Sequence, residues 1–338
     1  MSRFRAMLHR LDRYQQRHRA IGFPLAVIQK FNDDQAGDFA KLLAWNAFIS
    51  IFPLLLVLVT VLGIVLRGHD HLQHQVLHSA LVDFPIIGGQ LQANIHSLDR
   101  TGISLVIGLI GIFIGTRGVA NAAQNALNGL WEVPHTRRPG FPLSLLRSLA
   151  LVLSFGLGII ITTSLSGIGG AGGAIGIGER IGAVAVSFVL NVALFWLAFR
   201  LATASDVASR DLRVGAVLTA IIWQVLQTFG SYLVEHELRH ASQVYGLFGI
   251  VLGLAFWLFL QAELSLYMVE ADVVRTRHLW PRAIFTDELT RADKSAYTAY
   301  AQVEERKAEE DINVAFASGN EHRIPRQEPA EDSTEAET

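Results

Sequence analysis

Six long apolar runs constrain this chain more than any other feature of its sequence. Each run is long enough to cross about 30 Å of hydrocarbon as an α-helix. The runs are continuously apolar, without the alternation of polar and apolar residues that a membrane β-barrel requires. The sequence therefore predicts an all-α membrane protein, a bundle of six transmembrane helices at Leu43–Leu66, Ile103–Asn121, Leu143–Leu165, Ile181–Leu201, Leu212–Val234 and Val244–Val269.

Composition agrees with a membrane domain and excludes several kinds of site. Of the 338 residues, 51% are hydrophobic and 17% are charged, whereas soluble domains are nearer to about 25% charged. The chain has no cysteine, which excludes disulfides, zinc–thiolate sites and iron–sulfur clusters. No cofactor is expected.

Lysine and arginine are distributed unevenly between the segments that connect the spans. Eight of them precede the first span, whereas the next connection, Arg67–Gly102, holds only Arg67 and Arg100. The later connections continue this alternation, which by the positive-inside rule predicts cytoplasmic N- and C-termini and an outer, amphipathic Arg67–Gly102 segment. The predicted parts are a basic N-terminal segment (1–42), a transmembrane domain (43–270) and a cytoplasmic tail (271–338), disordered from about residue 318.

The N-terminal segment has the pattern of a helix that lies on a membrane surface. Its first twenty residues carry six arginines, with Phe4, Leu8, Leu11 and Tyr14 at helical spacing beside them. This pattern predicts an interfacial helix whose partner is anionic membrane lipid. RNA would use the same charges, but the motifs of RNA-binding modules do not occur, and no nucleic-acid partner is expected.

The outer segment contains a group of histidines, His69, His71, His74 and His78, with Asp70 among them. A zinc site requires three or four ligands that converge on one point. The favoured interpretation is a solvated amphipathic segment without a metal, and a zinc-binding or pH-responsive role is the alternative.

Charged side chains within the spans are the main candidates for function, because burying charge in a membrane is costly. Glu263 lies on the sixth span, in the same inner third of the bilayer as Asn46 and the arginines Arg117, Arg147 and Arg200. We expect Glu263 to pair with one of these arginines around a cavity open to the cytoplasm. The alternative is that the arginines extend to the lipid headgroups.

Further polar residues lie on the later spans and either form hydrogen bonds between helices or line a substrate pathway; they are Asn191, Gln224, Gln227, Gln261 and Glu270. Pro53 interrupts the first span and acts as a packing kink or as a hinge. Glycines at intervals of three and four in the second span predict a close approach to a neighbouring helix; they are Gly108, Gly111, Gly115 and Gly118.

Three stretches resemble the YihY/BrkB family of bacterial inner-membrane proteins: "AWNAFISIFPLLLVL" (Ala44–Leu58), "ALNGLWEVPHTRRPGF" (Ala126–Phe141) and "YGLFGIVLGLAFWLFLQAELSLYMVEADVV" (Tyr245–Val274). The resemblance covers about Lys30 to Arg282. Glu270 matches a glutamate of the family motif, and Asp272 stands where the family has asparagine. The resemblance implies six spans in the bacterial cytoplasmic (inner) membrane with cytoplasmic termini.

The resemblance brings suggestions of roles in envelope lipid traffic and in resistance to host killing, but no established activity. Its older label, ribonuclease, is not expected to hold, because the cytoplasmic loops are too short to build a nuclease site. From the charged and polar residues within the spans, we expect a non-enzymatic protein that transports or flips a lipid or other amphiphile through a polar cavity on the cytoplasmic side. The alternative is an envelope scaffold or adaptor, as a homo-oligomer or with another envelope protein.

Overall fold

A computed structural model describes residues 2–65, 101–154, 158, 177–233, 239–284, 289–307 and 309–316. Within these ranges the chain forms α-helices and one short 3-10 turn at His135–Arg137, and no strand. The all-helical class is confirmed. The α-helices are α1 (Ser2–Arg17), α2 (Arg19–Asp33), α3 (Ala36–Val65), α4 (Thr101–Leu130), α5 (Leu143–Ser154), α6 (Ile177–Ala202), α7 (Arg213–Leu233), α8 (Arg239–Thr276) and α9 (Arg291–Val303).

Three helices in the described ranges are long and apolar enough to cross a membrane, at Val106–Leu130, Ala185–Ala202 and Val251–Thr276. They overlap the second, fourth and sixth predicted spans. The other three predicted spans fall at least in part on α3, α5 and α7, so the count of six and the cytoplasmic termini stay predictions. The outer segment with its histidines and the tail from residue 318 lie outside the described residues.

Helix α4 continues to Leu130, nine residues beyond the predicted end at Asn121. The end of the membrane span at Asn121 stays a prediction, and the polar residues that follow it continue the helix because they bond to neighbouring parts of the chain. Gln124 Nε2 donates to Ser148 Oγ of α5 over 2.9 Å. Asn128 Nδ2 donates to the carbonyl of Ala202 over 3.2 Å, and its Oδ1 accepts from the backbone of Ala204 over 2.7 Å.

Helices α3 and α4 pack closely along the glycines of α4. A Cβ added at Gly111 would lie 2.8 Å from Cβ of Pro53, and one at Gly115 would lie 2.6 Å from Oγ of Ser50. Any larger residue would force the helices apart, so the predicted close approach is confirmed at these two glycines. The ring of Pro53 contributes to this packing, and its action as a hinge stays a prediction.

The buried core gathers toward one end of the bundle, which we call the charged end. This end comprises the α2–α3 turn, the ends of α4, α6 and α8, and the starts of α5 and α7. Its core contains Phe31, Leu130, Trp131, Leu212 and Val273. Farther along the spans, large apolar side chains such as Ile107 and Ile114 of α4 are exposed, as lipid-facing residues are.

Candidate functional site

Lys30 of α2 lies at the centre of a buried group of carboxylates at the charged end. Its side chain is fully buried, and Nζ lies 2.9 Å from Glu132 Oε1 and 3.9 Å from Glu270 Oε2. The same Nζ pairs with Asp34 and stands 5.1 Å from the ring centre of Tyr300. We call these five residues the Lys30 cluster. It joins α2, the residues just after α4, α8 and α9.

Local structure explains how these charges become buried. Helical spacing places Lys30 on the same face as Ala26, Val27 and Phe31, which pack into the core. Glu132 follows the end of α4 in the left-handed conformation, with φ of 53°, which costs a non-glycine residue roughly 1 kcal/mol. Its backbone N–H bonds to the Gly129 carbonyl and ends the helix, while its side chain turns to Lys30.

The charged side chains of the Lys30 cluster change the pKa of Lys30 and of Asp34. Burial by itself would lower the pKa of Lys30, but the carboxylates of Glu270, Glu132 and Asp34 outweigh burial and raise it. Burial raises the pKa of Asp34, and the neighbouring Lys30 offsets this only in part. Asp34 and Glu270 both lie against the ammonium group of Lys30, which is the shared cation of the cluster.

Stability is expected to depend on pH through Asp34. Because the pKa of Asp34 is raised above 3.8 in the folded protein, folding favours its protonated form. This contribution is fully present below pH 3.8 and is lost as the pH rises through the folded pKa. Relative to Asp34→Asn, the wild type should therefore lose thermal stability as the pH is raised from about 4 to 8.

The measurement is the melting temperature of both proteins in detergent at each pH. The matched control is Asp38→Asn, whose exposed carboxylate pairs with exposed Lys41, and its profile should run parallel to the wild type. Parallel profiles for the wild type and Asp34→Asn would show that Asp34 does not titrate as proposed.

A second buried group adjoins the first and holds α9 in place. Arg282 is 1% exposed, with Nε 2.9 Å from Asp293 Oδ1 and Nη1 2.9 Å from Asp33 Oδ2. Its Nη1 also donates to the hydroxyl of Tyr300 over 3.4 Å. Tyr300 therefore belongs both to this group and to the Lys30 cluster. Gln15 of α1 donates to the Arg282 carbonyl over 2.8 Å. The N-terminal helices and α9 are thereby bound to the charged end.

Arg147 of α5 reaches the end of α6, where Arg200 lies. Arg147 Nη1 donates to the carbonyl of Thr203 over 3.0 Å, and Arg200 is close enough for the two positive charges to repel. Across the described ranges, neither arginine takes part in an ion pair, and Nη1 of Arg200 is buried without an acceptor. We call Arg147 and Arg200 the arginine pair.

The expected pairing of Glu263 with an arginine is not found. Glu263 is half-buried on α8, and none of the ion pairs formed by the residues described includes it. Its charge acts instead on Lys41 of α3 and on Tyr267. Arg117 is exposed on α4, as a residue that extends to the headgroups would be. A place for Glu263 in a substrate pathway stays a prediction.

The other predicted site residues are dispersed over the bundle. Asn46 of α3 faces Gly118 of α4, and its Nδ2 donates to the Leu42 carbonyl over 2.8 Å. Asn191, Gln224 and Gln261 are half-buried on α6, α7 and α8, and Gln227 is exposed on α7. Among the predicted residues, the structure brings Arg147 to Arg200, and it brings Glu270 into the Lys30 cluster.

Lys30, Asp34 and Glu132 were not among the predicted site residues. In the charge pattern, Lys30 is one of the eight basic residues before the first span. The signal that would have identified it is its helical spacing from Ala26, Val27 and Phe31, which puts a lysine on an apolar face. Glu132 carried a similar signal, because it is a lone charge between Trp131 and Val133.

A polar cavity of about 880 Å³ borders the Lys30 cluster. Glu132 and Arg277 line its inner side, with Arg277 Nη1 3.1 Å from Glu132 Oε2. The loop after α6 and the chain after α9 line the rest, and carboxylates outnumber cations among the lining residues. The cavity therefore suits a cationic group better than an anion.

Comparisons with known proteins agree on one family. The model of the family described as "Virulence factor BrkB" matches residues 27–283. The chain is 23% identical to "Inner membrane protein YhjD" of Escherichia coli over 273 residues, 75% of this chain and 80% of that protein. It is 24% identical to a "UPF0761 membrane protein" of Alcanivorax borkumensis over 268 residues, 76% of this chain and 61% of that protein.

No solved structure matches the chain. The family match includes Lys30, Asp34, Glu132 and Glu270 and excludes Tyr300. Because the family model covers most of the chain and the structure supplies long apolar helices within it, the protein belongs to the YihY/BrkB family of integral inner-membrane proteins.

Proposed function

We propose that the protein is a non-enzymatic transporter that binds an anionic lipid or other anionic amphiphile at the arginine pair and moves it across the membrane. The observation that carries the proposal is the arginine pair itself. Two guanidinium groups lie at the charged end, and in the part of the chain described no carboxylate pairs with either. An acidic headgroup would supply the negative charge that the arginine pair lacks among the described residues.

Energetics support an anionic ligand at this position. Arg147 and Arg200 are half-buried; a cation drawn out of water without a counterion is destabilised, and like charges near each other add to that cost. Guanidinium binds phosphate or carboxylate oxygens through two parallel N–H groups. Nη1 of Arg200 is buried and has no acceptor among the described atoms. An oxygen of the headgroup would accept a hydrogen bond from it.

Lipid analysis of purified protein tests the proposal. We expect mass spectrometry to find an anionic lipid class enriched on the wild type relative to bulk membrane. Arg147→Gln and Arg200→Gln should each reduce this enrichment by roughly tenfold or more, because a hydrogen bond to a charged group is worth about 1.5–3 kcal/mol. Proteoliposomes carrying a fluorescent form of the enriched lipid would then measure its movement between leaflets.

The matched control is Arg117→Gln, since Arg117 is an exposed arginine on a different helix, α4. It should retain the lipid profile of the wild type. Identical profiles in all four proteins would overturn the transport proposal. Loss of the lipid from Arg117→Gln alone would also overturn it, because the binding site would then be on the outer surface of α4.

A scaffold or adaptor is the second candidate, and the cavity beside the Lys30 cluster favours it. Its excess of carboxylates suits a basic segment of another protein, and the chain after α9 forms part of its wall. Identical lipid profiles in the experiment above would shift the assignment to this role. The cavity would then be the first surface to probe for an envelope partner.

A further inference from the structure

Helices α1 and α2 expose apolar side chains at intervals of seven residues. Met7 and Tyr14 of α1 are 59% and 54% exposed, and Ile21 and Ile28 of α2 are 43% and 46% exposed. Seven residues make two helical turns, so each pair lies on one face of its helix. We call these four residues the apolar stripe. Tyr14 stacks on His18, the residue between the two helices, with ring centres 4.1 Å apart.

Two residues of α1 that contact the rest of the protein are polar. Asp12 and Gln15 are buried, at 0% and 4% exposed. Gln15 Nε2 donates to Asp12 Oδ1 over 2.9 Å, and the backbone N–H of Ile284 donates to the same oxygen over 3.2 Å. These hydrogen bonds fix the rotation of α1 about its axis, and Met7 and Tyr14 are held on its exposed side.

Charge around the apolar stripe indicates which environment it faces. Four arginines of α1 and α2 have exposed side chains: Arg10, Arg13, Arg17 and Arg19. Helices that combine an apolar face with flanking basic residues lie in the headgroup region of anionic membranes. Each basic residue near such a surface contributes about 1 kcal/mol of attraction. The charges therefore complement anionic lipid.

The exposed apolar surface continues into the membrane domain. The α2–α3 turn leads into α3, where Leu42, Trp45 and Ile49 are 52%, 61% and 43% exposed. Tryptophan is enriched where a membrane helix meets the headgroups. Along the chain, the apolar stripe is therefore followed by an exposed surface of α3 whose residues are typical of the membrane–water interface.

We propose that α1 and α2 form a membrane-surface platform that rests on anionic lipid through the apolar stripe and its flanking arginines. The opposite face of the platform holds the charged end together, through Asp12 and Gln15 on α1 and through Lys30 on α2. This role goes beyond transport, because it requires no transported molecule and applies equally to a scaffold.

Site-directed labelling of the full-length protein tests the platform. The chain has no cysteine, so Tyr14→Cys and Ile21→Cys each give one site for the fluorophore NBD. The matched control is His9→Cys, since His9 is exposed on α1 and lies about 200° around the helix from Met7. The labelled proteins are reconstituted into vesicles of phosphatidylcholine with phosphatidylglycerol, and into vesicles of phosphatidylcholine alone, with doxyl-labelled lipid as quencher.

In the anionic vesicles, the labels at residues 14 and 21 should be quenched and blue-shifted, and the label at residue 9 should emit as in water. In phosphatidylcholine alone, quenching at residues 14 and 21 should fall by about twofold or more, because the arginines lose their partners. Equal exposure to water at residues 9, 14 and 21 in anionic vesicles would overturn the proposal. Shielding of residues 14 and 21 only after adding RNA would assign the stripe to a different partner and would overturn it as well.

Discussion

Lys30→Met should destabilise the protein by about 3–5 kcal/mol, the cost of removing one partner from a buried ion pair. Methionine fills about the same space as lysine, so the expected loss of stability comes from removing the positive charge. Without Lys30, the buried carboxylates of Asp34, Glu132 and Glu270 lose their shared cation. Arg277 still reaches Glu132, but Glu270 is left with no cation among the described residues.

The measurement is the unfolding free energy in mixed micelles, with Lys41→Met as the matched control. Lys41 and its partner Asp38 are 68% and 65% exposed, and breaking an exposed pair costs about 0–1 kcal/mol. Combining Lys30→Met with Glu270→Met should recover part of the loss, because it removes a carboxylate that has lost its partner. Equal stabilities for Lys30→Met and Lys41→Met would contradict the structure of the cluster.

Arg282→Met should also lower the free energy of unfolding by about 3–5 kcal/mol. The loss of structure should be greatest in α9. Arg282 contacts Asp293 at the start of α9, Asp33 at the end of α2 and Tyr300. Asp293 also accepts from the backbone N–H groups of Ala283 and Thr290. Removing the guanidinium leaves a buried carboxylate at the point where α9 begins.

Hydrogen exchange followed by mass spectrometry locates this effect. Amide protection should fall in α9 and in α1, while α3 and α4, which pack through glycines remote from Arg282, keep theirs. Arg306→Met is the matched control, because Arg306 and its partner Glu304 are 74% and 61% exposed. A uniform loss of protection across all helices, or no loss in α9, would show that Arg282 does not anchor that helix.

The membrane character of the chain was predictable because lipid imposes a simple requirement. A spanning helix must be apolar over about twenty residues, and such runs are visible without any neighbour being known. The polar extension of α4 was not predictable in this way. Gln124 and Asn128 remain helical because Ser148 and Ala204 bond to them, and these partners come from distant parts of the sequence.

The contacts of the candidate site could not be predicted from the sequence, because they depend on the rotation of each helix about its axis. Charge counting placed Glu263, Arg117 and Arg147 in one layer of the bilayer. Which of them meet depends on how each helix is turned about its axis, and one sequence does not specify that angle. Arg117 turns outward on α4, whereas Arg147 turns toward Arg200. For Lys30 the rotation of α2 about its axis could be predicted from the sequence, because its apolar neighbours on α2 define the buried face.

The Lys30 cluster links an early part of the chain to a late one, and this has a consequence for biosynthesis. Proteins are made from the N-terminus, and Lys30 leaves the ribosome long before Glu270 and Tyr300 exist. Until α8 and α9 emerge, the lysine and Glu132 lack half of the contacts that surround them in the finished protein. This end can therefore be completed only after α8 and α9 have been synthesised. A chain truncated before α8 would keep a lysine on an apolar face without Glu270.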